Sequence, residues 1–260
     1  MIVYGKNVFE TLKNEPETIA EIYLMNGQND ARTRRILDTL PRSVRLRTVS
    51  KKELDRMTDH GVHQGIAAKV RDLPLLTLDE LIDRARPNPE SDSALDRLPL
   101  LVALDEVQDP HNVGAILRSA DAAGAKGVIL CKHGGAGLTP AAVKTSAGAA
   151  YSMPVAGVSS LSNALIKLKE NGFWVAGSDF DKTSLDYRKG LYDRPLVLVI
   201  GNEGKGMSKS VKGQCDFKLH IPMHGAVQSL NASVAAGILM YEIQSKNKIP
   251  NAAVGMKREK

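Results

Sequence analysis

From Leu100 onward, short and nearly unbroken apolar runs alternate with segments whose apolar positions recur every three or four residues. The runs are Leu100–Leu104, 127–130, 173–177 and Leu196–Ile200. Such runs predict strands buried on both faces of a parallel sheet, because an alternating strand would keep one face polar. Between them Val113, Ile116, Leu117 and Ala120 follow i, i+3, i+4, i+7 spacing, as a helix requires. Leu161, Leu165 and Leu168 predict a second helix, with Gly172 as its stop. A last helix is expected over about 231–244, with Val234, Ile238 and Leu239 on its buried face.

The earlier part reads differently. Strands are expected at 22–24, 44–49 and 65–70, with helices at 31–40 and Lys51–Met57 between them. This predicts a small α/β domain over 1–71. Residues 72–98 read as a linker: Leu78–Ala85 can form one helix, but Pro87-Asn88-Pro89-Glu90-Ser91-Asp92-Ser93 is polar and turn-rich. The second domain then covers 99–245. The tail, 246–260, has no periodicity and is expected to be disordered. No internal repeat is found.

Composition alters this picture little: 43% hydrophobic and 25% charged residues are ordinary for a globular chain. The net charge of +6 favours a polyanionic partner. Cys131 and Cys215 form no CxxC, which argues against a zinc site or a disulfide framework and for two reduced thiols. The start of the chain lacks the charged region and apolar core of a signal peptide, and no apolar run approaches the roughly 20 residues that span a bilayer. A soluble, cytoplasmic protein with no membrane partner is expected.

Three Gly/Asn-rich blocks fall where a strand should end and a helix begin, the edge at which α/β sheets bind ligands. In the first, Asn112, Gly114 and Arg118 stand in N-x-G-x-x-x-R; Asn112 could cap the helix, and Arg118 is either a solvated surface residue or one aimed at a phosphate or reacting oxygen. The second, Gly201-Asn202-Glu203-Gly204-Lys205-Gly206, matches neither G-x-G-x-x-G nor a P-loop, and alone is as well explained by a turn. The third runs from Ile221-Pro222-Met223 through Ser229, Leu230 and Asn231; Ser229 or Asn231 can cap the following helix.

Together the blocks resemble the signature motifs of the TrmH-type (SpoU) branch of the SPOUT methyltransferases, over about 100–244. The first 71 residues resemble that family's small L30e-like RNA-binding domain, ending in Asp59-His60-Gly61-Val62-His63-Gln64-Gly65-Ile66-Ala67-Ala68. The likeness is greatest to the type that methylates guanosine in 23S rRNA. It implies an α/β fold: a parallel-sheet SPOUT domain with a C-terminal trefoil knot, preceded by the L30e-like domain. It implies transfer of a methyl group from S-adenosylmethionine to a ribose 2′-hydroxyl of RNA, by a homodimer formed through the SPOUT domain. Carried over by motif, Gly177, Gly201, Ile221 and Leu230 would hold the cofactor. Arg118 would be catalytic, supported by Asn112, with Glu203, Ser229 and Asn231 completing the polar set. A guanidinium is a poor base, so Arg118 could instead orient a phosphate or stabilise developing charge. No metal is implied, and the His60/His63 pair is read as structural.

Between Asp30 and Arg56 nine basic residues face four acidic ones. A solvated charged face would explain them; with the resemblance, Arg32, Arg34, Arg35, Arg45 and Arg47 are expected to track RNA phosphates. Aromatic residues are only 4% of the chain, which argues against broad base-stacking platforms. Three readings compete with a 23S rRNA substrate, naked or in a ribosomal assembly particle. They are the same reaction on tRNA or another rRNA nucleoside, a non-catalytic RNA-binding assembly factor, and a generic nucleotide-binding α/β protein, whose glycine spacing does not match.

Overall fold

The computed structural model describes residues 1–12, 16–71, 73, 75–86 and 98–247. The turn-rich segment 87–93 and the tail from 248 lie outside the described residues. In chain order the elements are β1 (Ile2–Tyr4), α1 (Lys6–Leu12), β2 (Ile19–Met25), α2 (Ala31–Asp38), β3 (Arg45–Val49), α3 (Lys51–Met57), β4 (Ile66–Val70) and α4 (Leu78–Ala85). Then follow β5 (Leu100–Leu104), α5 (Pro110–Ala123), β6 (Gly127–Cys131), α6 (Pro140–Thr145), α7 (Ala149–Ser152), β7 (Val155–Val158) and α8 (Leu161–Glu170). The last are β8 (Trp174–Ser178), β9 (Leu185–Asp186), β10 (Leu196–Ile200), α9 (Lys209–Lys212), β11 (Phe217–His220) and α10 (Ala232–Lys246).

Two compact units result. The first joins Met1–Leu75 with Asp109–Arg118 and Ala136–Pro154; the second joins Leu76–Gln108, Ser119–Gly135 and the chain from Val155 onward. The first unit thus takes in two later segments, 109–118 and 136–154, besides the N-terminal part of the chain.

In the first unit a four-stranded sheet runs in the order β1-β4-β2-β3, with only β2 and β3 parallel. Tyr23, Val49, Leu54 and Ala67 form part of its core. Helix starts are fixed by side chains that accept otherwise orphaned amides: Asp30 caps α2 through the amides of Arg32 and Thr33, and Ser50 caps α3 through that of Glu53. His63 is buried and spends both ring nitrogens locally, Nε2 on Asp55 Oδ1 and Nδ1 accepting from Gly65 N–H, each at 2.9 Å. Segments 109–118 and 136–154 join this unit through close approaches. A Cβ on Gly114 would meet the Ala142 carbonyl oxygen at 2.3 Å, and Lys144 Nζ lies 3.2 Å from the Tyr4 hydroxyl. Asn112 does not cap α5. Pro110 takes the first helical position, which costs it no amide, and the amide of His111 donates to Asp109 Oδ1 at 2.8 Å.

In the second unit seven strands, in the order β7-β6-β5-β10-β8-β11-β9, pair in parallel throughout. All five residues of β5 and of β10 are buried, as their unbroken apolar runs require. Leu101, Ala103, Val197 and Val199 share one core with Leu81 and Ile82 of α4 and Leu165 and Leu168 of α8. Thus α4, inside the stretch expected as a linker, is part of a core, and Leu76 forms a bridge to Ala156 of β7. Its start is set by a capping box between Thr77 and Glu80. On α10 the expectation for Val234 fails: it is 49% exposed, whereas Leu239, Met240 and Ile243 are buried. The helix is apolar around most of its circumference, so spacing could not say which stripe faces inward.

Candidate active site

Because every strand of the second unit runs the same way, the loops after β8, β10 and β11 leave one edge of the sheet. They enclose a cleft of about 890 Å³, within the range of small-molecule sites.

The loop after β10 is a closed turn. Asn202 and Gly206 exchange backbone hydrogen bonds of 3.1 and 2.9 Å, and Gly206 has a φ of +68°, a left-handed conformation suited to glycine. Asn202 organises its interior: Oδ1 accepts from the amides of Gly204 and Lys205 at 2.9 and 3.0 Å, and Nδ2 donates to the Glu106 carbonyl at 2.9 Å. Gly201 packs against the turn's exit, where a Cβ would lie 2.4 Å from the Met207 nitrogen. Buried Asp105, just past β5, accepts from the Ser208 amide at 2.6 Å and so fixes where α9 begins.

The loop after β8 is tied down by ion pairs. Asp179 pairs with Lys212 at 2.8 Å and Asp181 with Lys218 at 2.5 Å. The Lys218 ammonium first, then the Thr183 hydroxyl and amide, hold the Asp181 carboxyl well below the usual carboxylate range. Between these aspartates Phe180 is exposed on the cleft wall, edge-on to His220. The loop after β11 crosses the cleft and ends at Asn231, whose Oδ1 caps α10 by accepting from the amides of Ser233 and Val234 at 2.9 and 3.3 Å.

Gly201, Glu203, Ile221, Ser229 and Leu230 therefore meet on one cleft. Gly177 does not line it, although Ser178 does. The missing side chain at Gly177 makes room for Met207 and Cys215, whose Cε and Sγ would be 2.5 and 2.7 Å from a Cβ there. Burial pushes the Cys215 thiol up to about 11, so it stays protonated at neutral pH. Asn112, buried, and Arg118, exposed, lie on α5 in segment 109–118 of the first unit. The five arginines expected to track phosphates are all exposed. Arg32 bonds Asn7 and Glu10, and Arg47 pairs with Glu53 at 3.1 Å. Sequence reasoning assigned no site role to Asn202, Asp105, Asp179, Phe180 or His220; Asp105 and Asn202 carried a signal, their places in the first block, which begins at Leu104, and in the second.

The lining residues fit S-adenosylmethionine. The cleft combines apolar Ile200, Ile221 and Leu230 with the carboxylate of Glu203 and that of Asp179, the latter paired with Lys212, and no Lys or Arg is among its described lining residues. That charge balance suits a sulfonium.

Compared with known proteins, the chain belongs to the SpoU rRNA methylase family. That family's model matches residues 99–241, and the model for the RNA 2′-O ribose methyltransferase substrate-binding domain matches residues 2–76. It is an RNA 2′-O-ribose methyltransferase dependent on S-adenosylmethionine, the donor this family uses. Among curated relatives, RlmB of Pseudomonas syringae pv. tomato, a 23S rRNA (guanosine-2′-O-)-methyltransferase, is 38% identical over 92% of this chain and 93% of its own. YacO of Bacillus subtilis, whose name gives the TrmH family and leaves tRNA and rRNA both open, is 40% identical over 94% and 95%. Among solved structures, the SpoU methyltransferase AviRb from Streptomyces viridochromogenes, in complex with its cofactor AdoMet, superposes with a TM-score of 0.77. It is 25% identical and covers 95% of this chain and 90% of that one.

Proposed function

We propose that this protein methylates the ribose 2′-oxygen of a guanosine in 23S rRNA. One observation carries the reading: a single chain holds both the cleft and a substrate-binding domain at 2–76, and it is similar along nearly its whole length to RlmB proteins.

Bound S-adenosylmethionine supplies the electrophilic methyl group. The chain's own part is placement. Gly201 and the turn behind it present backbone to the cofactor, with Ile221 and Leu230 as its apolar walls, and the Glu203 carboxylate favours its positive charge. Arg118, supported by Asn112, orients the ribose phosphate or stabilises charge on the 2′-oxygen as its proton leaves; a guanidinium stays protonated and is not the base. Ser229 and Asn231 complete the polar set. The exposed arginines of α2 and β3 draw the RNA in. The trefoil knot belongs to the same reading, supported by two long loops, after β10 and after β11, on one cleft. So does a homodimer, supported by the exposed apolar stripe of α10, and a cytoplasmic location. Among the described residues no helix is long and apolar enough to cross a membrane.

The test is transfer of tritium from labelled S-adenosylmethionine to unmodified 23S rRNA and tRNA transcripts, with Arg118→Ala beside the wild type. Label at a guanosine ribose of 23S rRNA, lost in the variant, is the expected result. Label in tRNA alone would replace the substrate with the one that YacO's name leaves open.

A further inference from the structure

We infer that Phe180, braced by His220, is a stacking platform for a base of the RNA substrate. This rests on the methyltransferase reading of the cleft and adds a residue that holds its second substrate.

Phe180 is 80% exposed, an unusual state for a phenyl ring in a loop that is otherwise firmly anchored. The ion pairs of Asp179 with Lys212 and of Asp181 with Lys218 fix the loop on either side of it. His220, at the end of β11, supports the ring: the two centroids are 5.4 Å apart and the planes cross at 78°, an edge-to-face contact that sets ring orientation. Phe180 thus lines the cleft from an anchored backbone, with one ring contact favouring its orientation, which lowers the entropy lost on binding. The Nδ1 of His220 is buried and has no hydrogen-bond partner among the described residues.

Charge selects the ligand. Asp179 is already paired with Lys212, and no Lys or Arg is among the described lining residues, so the lining itself offers no unpaired cation to hold a phosphate. A base has a flat π-face and no charge, and aromatic side chains bind bases by stacking. Exposure places Phe180 at the rim, where a base displaced from the RNA would arrive. The low aromatic content argued against a broad platform, and this is a single ring.

The experiment uses the full chain saturated with S-adenosylhomocysteine and a short single-stranded oligoribonucleotide carrying 2-aminopurine, whose fluorescence falls on stacking. The wild type is expected to quench the probe. Phe180→Ala is expected to weaken its binding about 5- to 100-fold, and Phe180→Tyr to restore it. Calorimetric affinity for S-adenosylhomocysteine is expected to be the same in all three proteins. A wild type that gives no quenching, or an alanine variant that quenches equally, overturns the inference. So does an alanine variant that loses S-adenosylhomocysteine affinity, which would assign the ring to the cofactor's adenine. Methyl transfer by the wild type is scored apart, so failure of the enzymatic reading and failure of the platform give different results.

Discussion

Alanine at Gly201 would place its Cβ 2.4 Å from the Met207 nitrogen and 2.5 Å from the Gly206 carbonyl carbon, both backbone atoms that cannot swing away. The turn must shift, and overpacking of this kind costs about 1–3 kcal/mol. Gly201→Ala should therefore lower stability in urea denaturation and weaken S-adenosylhomocysteine binding in calorimetry; unchanged values for both would show that the turn is slack. At this scale the sequence was legible only where neighbours along the chain define a motif. Gly201, Ile221 and Leu230 stand in such runs. The contacts that hold them do not: Asn202 reaches Glu106 across 96 positions, and Ser208 reaches Asp105 across 103. Phe180 and His220 have no local pattern, and become a pair only because β8 and β11 are adjacent strands.

Elements were legible in proportion to how unbroken their apolar runs are. β5 and β10 lie where the runs put them, whereas β7, with the sequence Val-Ala-Gly-Val, and β11, with Phe-Lys-Leu-His, are too short and mixed to stand out. Helix α4 was located, but its membership in a core was not, because amphipathic spacing gives a face without naming its partner. Leu81 is fully buried in the core of the second unit. Leu81→Ala should thus cost about 2–5 kcal/mol, the range for emptying such a site. Guanidinium denaturation read at Trp174 checks this; a change under about 0.5 kcal/mol, the size of ordinary surface effects, would return α4 to the status of a linker helix.

For the molecule as a whole, α10 leaves a stripe uncovered. Val234 is 49% and Tyr241 55% exposed, seven positions apart with Ile238 between them. A second copy of the chain is the occupant that the dimer reading requires. The double variant Val234→Asp, Tyr241→Asp should sediment as a monomer where the wild type sediments as a dimer, and should lose methyl transfer. A variant that remains dimeric would move the interface elsewhere. The order of strands in the large sheet has a further consequence, for biosynthesis. β5 pairs on one side with β10, Leu100 opposite Leu196, so one edge of β5 waits for a strand made about 95 residues later. At about 5–20 residues per second the nascent chain carries that apolar edge open for about 5–20 s. Over that interval the hazard is misassociation with another nascent chain, and slower synthesis lengthens it.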